Sequence, residues 1–200
     1  MPNWCNNTVT LTHNDSSMIE RAKKALQEGT LLNEFIPVPP EMFEGEAWYG
    51  FRISNWGTKW DVGLDQGAIF RDKEHELGFN FCSAWSPPIA AYEKLSDLGF
   101  YIEATYYEPS MMFCGYWAND EEDYWDIKGD SEWVRDHIPR IIDDTEGISV
   151  GMADWEHEER IERIEELKDL VEEEKDLTKR SELLNELDAL LEKQEEIENA

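Results

Sequence analysis

Cysteine is scarce in this 200-residue chain, at three residues, and Cys5, Cys82 and Cys114 lie far apart with no C-x-x-C between them. That spacing excludes the usual zinc and iron–sulfur signatures, and each cysteine sits in an apolar or aromatic run, where small buried thiols are expected. Basic residues are also few. Eighteen Lys and Arg face 46 Asp and Glu, for a net charge of −28. A surface of that sign repels phosphate backbones and anionic lipid, so direct nucleic-acid and membrane binding are not expected. No apolar run approaches the length of a membrane span, and the N-terminus has neither the basic nor the apolar region of a signal peptide. The expected location is therefore the cytoplasm. Catalytic templates are absent too: there is no P-loop, G-x-G-x-x-G, H-E-x-x-H or G-x-S-x-G. The stretch DYWDIKGDSE fails as a calcium loop because Tyr124 falls at the first ligand position. The histidines His13, His75, His137 and His157 are scattered. No catalytic residue, metal site or cofactor is assigned.

What is present divides the chain. All nine Trp occur by Trp155, and the last 45 residues contain no aromatic residue. Residues 1–150 carry 11 basic against 27 acidic groups, net −16, and residues 151–200 carry 7 against 19, net −12. The boundaries expected are 1–118 for an α+β domain, 119–151 for an acidic and aromatic connector with a short helix, and 152–200 for an acidic helix or helical hairpin.

Within the first region WCNNTVTLTH alternates as a strand. NDSSMIERAKKALQEG is a helix capped by Asp15 or Ser16 and stopped by Gly29. EFIPVPPEM is a rigid proline connection. WYGFRIS reads as a short strand, NWGTKWD as a loop and GAIFRD as a short edge strand. ELGFNFCSA is a strand, WSPPIAAYEKLSDLG a helix, and FYIEATYYE with MMFCGYWA a hairpin. DSEWVRDHIPRIIDD is a helix bent or broken at Pro139, and EGISVG a short strand or loop. This order gives a split β-α-β-β-α-β antiparallel sheet with an extra hairpin strand, both helices on one face and aromatic side chains toward the other. After Met152 there is neither Gly nor Pro, and Leu170, Leu177, Leu184 and Leu191 recur every seven residues. A hairpin bent near KDLTK with Asp176 capping its second helix is favoured over a straight helix, and a two-chain coiled coil remains an alternative.

Several motifs occur together and in order: MPNWCNNTVTL, FIPVPPEM, NWGTKWD, F-C-SAWSPP, and GF-IEATYYEP followed by FCGYW. Over roughly residues 1–118 the chain resembles the YubB-like proteins of phages and conjugative plasmids, which have a ferredoxin-like domain. The resemblance implies the split β-α-β-β-α-β topology and a mobile-element origin. It implies no iron–sulfur cluster and no particular reaction.

Two clusters are candidate sites. The first joins Trp4, Asn6 and Asn7 to Asn55, Trp56, Thr58, Lys59, Trp60 and Asp61, and to Trp85 and Ser86. Aromatic planes with amides can hold a base or a sugar, and Lys59 can meet a phosphate. The same residues can instead be architecture: Asn fixing turns, Lys59 paired with Asp61, and Trp56 and Trp60 plugging the sheet. The second is Asp120, Glu121, Glu122, Asp123, Tyr124, Trp125 and Asp126, where aromatic anchors among carboxylates suit a basic protein groove, or form a plain solvated loop. The function expected is that of a non-enzymatic phage or mobile-element binding protein. It would engage a basic host or defence protein through its acidic surface, with nucleic-acid mimicry or inhibition as one form. The alternatives are a small-ligand or nucleotide-binding module (or enzyme) built on the Trp/Asn cluster, and a scaffold that forms a homo-oligomer through the helical tail.

Overall fold

The computed structural model describes residues 3–64, 67–118 and 121–198. It is an α+β structure that divides into two units, residues 1–148 and 149–200.

In the first unit, six strands form one open sheet: β1 (Trp4–Thr12), β2 (Ile69–Lys73), β3 (Glu76–Ala84), β4 (Tyr101–Glu108), β5 (Phe113–Ala118) and β6 (Glu121–Asp126). Their order is β2-β3-β1-β4-β5-β6, and every neighbouring pair is antiparallel. The alternation of β1 decides its two faces. Cys5, Asn7, Val9 and Leu11 are buried, whereas Trp4 and Asn6 are exposed and Thr8, Thr10 and Thr12 half-buried.

The apolar face of the sheet carries the main core. Val9, Leu11, Leu77, Phe79, Phe81, Ile102 and Trp117 meet Ile19, Ala22 and Leu26 of α1 (Ser16–Glu28) and Ala91, Tyr92 and Leu95 of α4 (Ile89–Asp97). Asp15 caps α1, its Oδ1 accepting the Ser17 amide at 2.9 Å, and Gly29 closes it. Between α1 and β2 the chain runs through α2 (Leu31–Phe35), a 3₁₀ turn at Pro40–Phe43 and α3 (Ala47–Trp56).

The segment WYGFRIS, expected as a strand, lies inside α3. The reason is visible in its spacing. Trp48, Arg52 and Trp56 are four residues apart and stack along one helical face, with the Arg52 guanidinium 5.1 Å from the Trp48 ring and 4.5 Å from the Trp56 ring. NWGTKWD therefore ends a helix in the crossover from α1 to β2, rather than joining two strands.

The other face of the sheet is rich in threonine and is packed by α6 (Arg140–Glu146), which lies against β1, β4 and β5. The Thr105 hydroxyl donates to Glu146 at 2.5 Å. Pro139 separates α6 from α5 (Ser131–His137), the break expected there. The stretch EGISVG, expected as a strand or loop, is helical on both sides of Gly147, because α6 ends there and α7 begins at Ile148.

In the second unit, α7 (Ile148–Glu173) and α8 (Leu177–Glu198) form an antiparallel pair. Ile164, Leu167 and Leu187 are buried between them, with Leu183 and Leu190 alongside. Arg163 bridges to Glu186 at 2.8 Å. Asp176 caps α8 by accepting the Thr178 amide at 2.9 Å. The hairpin form is the one observed; it buries Ile164, Leu167 and Leu187 within one chain, whereas Leu170, Leu177, Leu184 and Leu191 of the seven-residue repeat are exposed.

Candidate functional site

The eleven residues of the Trp/Asn cluster separate into three groups. The first group points inward and holds the fold. Asn7 is buried, and its Nδ2 donates to the Cys5 carbonyl (2.8 Å) and Ser83 Oγ (2.9 Å). Ser83 Oγ donates to the Ser86 carbonyl (2.7 Å), and Ser86 Oγ donates to the Gly57 carbonyl (2.8 Å). Thr58 is fully buried; its hydroxyl donates to the Ala84 carbonyl and accepts the Ala84 amide, both at 3.1 Å. This chain of bonds ties the end of α3 to the end of β3, and it commits the Asn7 amide nitrogen and the Thr58 and Ser86 hydroxyls to the fold.

Trp56 is likewise fully buried, with its indole N–H donating to the Ile36 carbonyl at 3.0 Å. Asn55 donates to the Phe51 carbonyl at 2.8 Å and accepts from Lys94. Gly57 caps α3 at φ +80°, a conformation that favours glycine, and a Cβ there would press on the Ile89 amide at 3.3 Å. Asp61 accepts three backbone amides, from Leu32 (2.7 Å), Val62 (2.8 Å) and Asn33 (3.1 Å). Burial nonetheless pushes its carboxyl above the usual range. The Lys59–Asp61 ion pair that the sequence allowed is not formed, because the amides at the start of α2 take the carboxylate.

The second group consists of Trp4 and Asn6, which alternation places on the opposite sheet face from Asn7. Asn6 Oδ1 accepts from Cys82 Sγ at 3.4 Å.

The third group faces outward. The Lys59 ammonium lies 4.6 Å from the Trp60 ring centre, 5.5 Å from Trp85 and 5.8 Å from Tyr49. It has no ion pair among the described residues. Each of the three rings is about 40% exposed. Trp48 stacks on Trp60 at 6.2 Å with 29° between planes. Glu46, Trp48, Tyr49, Lys59 and Trp60 line a shallow cleft of about 300 Å³. Below it, Arg52 donates to the Lys59 carbonyl at 3.4 Å and is partly desolvated, which lowers its pKa. Tyr49, Trp48 and Arg52 were not singled out in the sequence. The four-residue spacing of Trp48, Arg52 and Trp56 was the available signal, concealed by reading the segment as a strand.

The acidic stretch forms β6 rather than a loop. It is the last strand of the sheet and pairs with β5 on one side. Asp120 lies outside the described residues. Glu121, Glu122, Asp123, Tyr124 and Asp126 are exposed and Trp125 is half-buried. Glu122 accepts the hydroxyl of Tyr106 at 2.5 Å, and Tyr124 stacks on Phe113 at 5.5 Å. Tyr106 reaches Glu122 across Gly115, where a Cβ would lie 2.2 Å from the phenol oxygen. Glu121 and Asp123 make no ion pair among the described residues.

Burial disfavours the thiolate at all three cysteines, Cys82 included. Burial, with Glu146 and Glu108 nearby, pushes Cys5 well above its ordinary value, and burial pushes Cys114 to about 12. Among the described residues no group of three His, Cys, Asp or Glu side chains is placed to hold a metal. Nor is any helix among them long and apolar enough to cross a membrane.

No protein-family model and no curated protein matches the chain. Among solved structures, the crystal structure of a protein api92 from Yersinia pseudotuberculosis, described under family model DUF1281, is similar at 20% identity and a TM-score of 0.40. The match covers 49% of this chain and 39% of that one, so the chain spans well under half of that neighbour's length.

Proposed function

We propose that this is a non-enzymatic binding protein that engages a basic protein partner through its acidic surface, with β6 as the docking strand. The observation that carries the reading is the position of Glu121–Asp126. A run of carboxylates occupies the last strand of an open sheet, and no further strand covers its outer edge among the described residues. Such an edge presents unpaired backbone groups that an extended segment can add to, and alternate side chains then set the specificity. Here those side chains select lysine and arginine, and the net charge of −28 draws such a partner in.

The first four strands in the order β2-β3-β1-β4, with α1 and α4 on one face, support reading the domain as a ferredoxin-like split β-α-β-β-α-β unit. The motif resemblance to YubB-like proteins supports a phage or plasmid origin and a host or defence protein as the partner. Occlusion of that partner's basic face, as an inhibitor or nucleic-acid mimic, is the mechanism proposed, and the host cytoplasm its site.

The test is affinity capture from host lysate with the wild-type protein and with a Glu121→Lys/Asp123→Lys variant, at low and high salt. The expected result is a basic protein retained by the wild type at low salt and lost both at high salt and in the variant. Capture that persists unchanged in the variant would remove β6 from the proposal, and capture unaffected by salt would remove the electrostatic basis.

A second reading has its own observation: Lys59 pairs with no carboxylate among the described residues and faces an open aromatic cleft, which supports a small-ligand site. For a homo-oligomer formed through the tail, the support is that the hairpin buries Ile164, Leu167 and Leu187 but leaves Leu170, Leu177, Leu184 and Leu191 exposed.

A further inference from the structure

The aromatic cleft around Lys59 goes beyond the β6 reading and stands independently of it. We infer that Tyr49, Trp60 and Trp85 form a binding site for an alkylammonium cation, and that the Lys59 side chain is its internal placeholder.

Three observations converge on this chemistry. First, three rings, Tyr49 and Trp60 of the cleft and Trp85, already flank an ammonium group: Lys59 Nζ lies 4.6 Å from the Trp60, 5.5 Å from the Trp85 and 5.8 Å from the Tyr49 ring centre. Those distances fall within the range at which the negative faces of aromatic rings attract a cation, and aromatic cages of this kind recognise quaternary ammonium ligands.

Second, among the described residues the occupant is held by the rings alone. No carboxylate pairs with Lys59 among the described residues, and its four-carbon stem is flexible, so it can swing into water and leave the cage to another cation. The rings have partners of their own, Tyr49 meeting Trp48 edge-on at 6.0 Å. Trp48 stacks behind Trp60, and Arg52, wedged between Trp48 and Trp56, holds the Lys59 carbonyl. Trp85 projects from a residue at φ +70°, a left-handed conformation that a bulky side chain seldom adopts. Its amide is fixed by the Asn3 carbonyl at 2.9 Å. Strained positions of this kind persist where the surroundings over-determine them, and they cluster at ligand sites.

Third, the sign of the ligand follows from the surroundings. Glu46 lines the same cleft, and the whole chain carries −28, so an anion is disfavoured and a cation enriched.

The test follows the tryptophan indole resonances by NMR during titration with tetramethylammonium chloride, against sodium chloride at equal ionic strength. In the wild type, tetramethylammonium shifts the Trp60 and Trp85 signals and leaves that of buried Trp56 in place. Lys59→Ala removes the internal competitor and tightens binding about five- to tenfold, the worth of one or two exposed cation–π contacts. Trp60→Ala, with its circular dichroism unchanged, loses binding. Choline and a short lysine-containing peptide then separate the two sources of an alkylammonium head: a free small molecule or a protein side chain. Binding of either one with the same Lys59 and Trp60 dependence supports the site, and the tighter of the two names the source. Binding that Lys59→Ala leaves unchanged or weakens would overturn the inference. So would a response to inorganic phosphate that Lys59→Ala abolishes, because the cleft would then be an anion site.

Discussion

Trp56 and Trp60 stand four residues apart in one heptad, and the structure assigns them opposite roles that a stability measurement separates. Trp56 is fully buried in the main core, whereas Trp60 is 42% exposed. Truncating a core tryptophan to alanine costs about 3–5 kcal/mol. Loss of the indole donor to the Ile36 carbonyl adds about 1 kcal/mol, so Trp56→Ala is expected to cost about 4–6 kcal/mol. Trp60→Ala loses its stacking on Trp48 and its contact with Lys59, worth about 1–2 kcal/mol together.

With a urea slope of about 2 kcal/mol per molar, the unfolding midpoint falls by about 2–3 M for Trp56→Ala and by about 0.5–1 M for Trp60→Ala. The first loss approaches the whole stability of an ordinary domain, about 5–15 kcal/mol. Trp56→Phe is therefore the companion variant, keeping most of the volume, losing the hydrogen bond and costing about 1–3 kcal/mol. Urea unfolding followed by tryptophan fluorescence, with slopes compared, reads all three. Equal midpoint shifts for the two alanine variants would refute the division of the heptad into an inward and an outward half.

Other outcomes follow from the same geometry. Glu146 is a half-buried residue whose carboxyl has hydroxyl donors and no cation among the described residues, and desolvation raises its pKa above the usual value although Thr105 and Thr8 lower it. A folded pKa above the unfolded one means that its favourable contribution is complete below the ordinary carboxylate range and is lost as pH rises through the folded value. Glu146→Gln is thus expected to melt at or above the wild-type temperature at pH 7, with the difference shrinking on acidification toward pH 4; a constant difference would contradict it. Asp61→Ala leaves the Leu32, Asn33 and Val62 amides without their acceptor and costs about 2–4 kcal/mol in urea unfolding. Leu167→Ala, at a fully buried position of the second unit, is expected to lower the stability of the α7–α8 pair by about 2–4 kcal/mol, read as lost helicity at 222 nm on heating.

Much of the fold was legible because local signals agreed with burial. The alternation of WCNNTVTLTH, the Asp15 and Gly29 caps, the break at Pro139 and the Asp176 cap are each set by a few adjacent residues, and each formed as expected. α3 was not legible in that way. WYGFRIS carries β-favouring aromatics, and what makes it helical is a ladder of Trp48, Arg52 and Trp56 that exists only once the chain is folded. The acidic run, expected within a connector, has charges that disfavour a strand in isolation. Pairing with β5 and the seat that Gly115 leaves for Tyr106 supply what local propensity lacks.

The candidate site divided for a similar reason. Residue types suited to binding are also suited to tying α3 to β3, and only burial tells Thr58 and Asn7 from Lys59 and Trp60.

The proposed function rests most directly on β6, and one titration addresses it. An extended peptide alternating lysine with valine is added to the wild-type protein and to Glu121→Lys/Asp123→Lys, by calorimetry at several salt concentrations. The account predicts binding to the wild type that weakens steeply as salt rises and is lost in the variant. Equal affinity for both proteins, or affinity indifferent to salt, would contradict it.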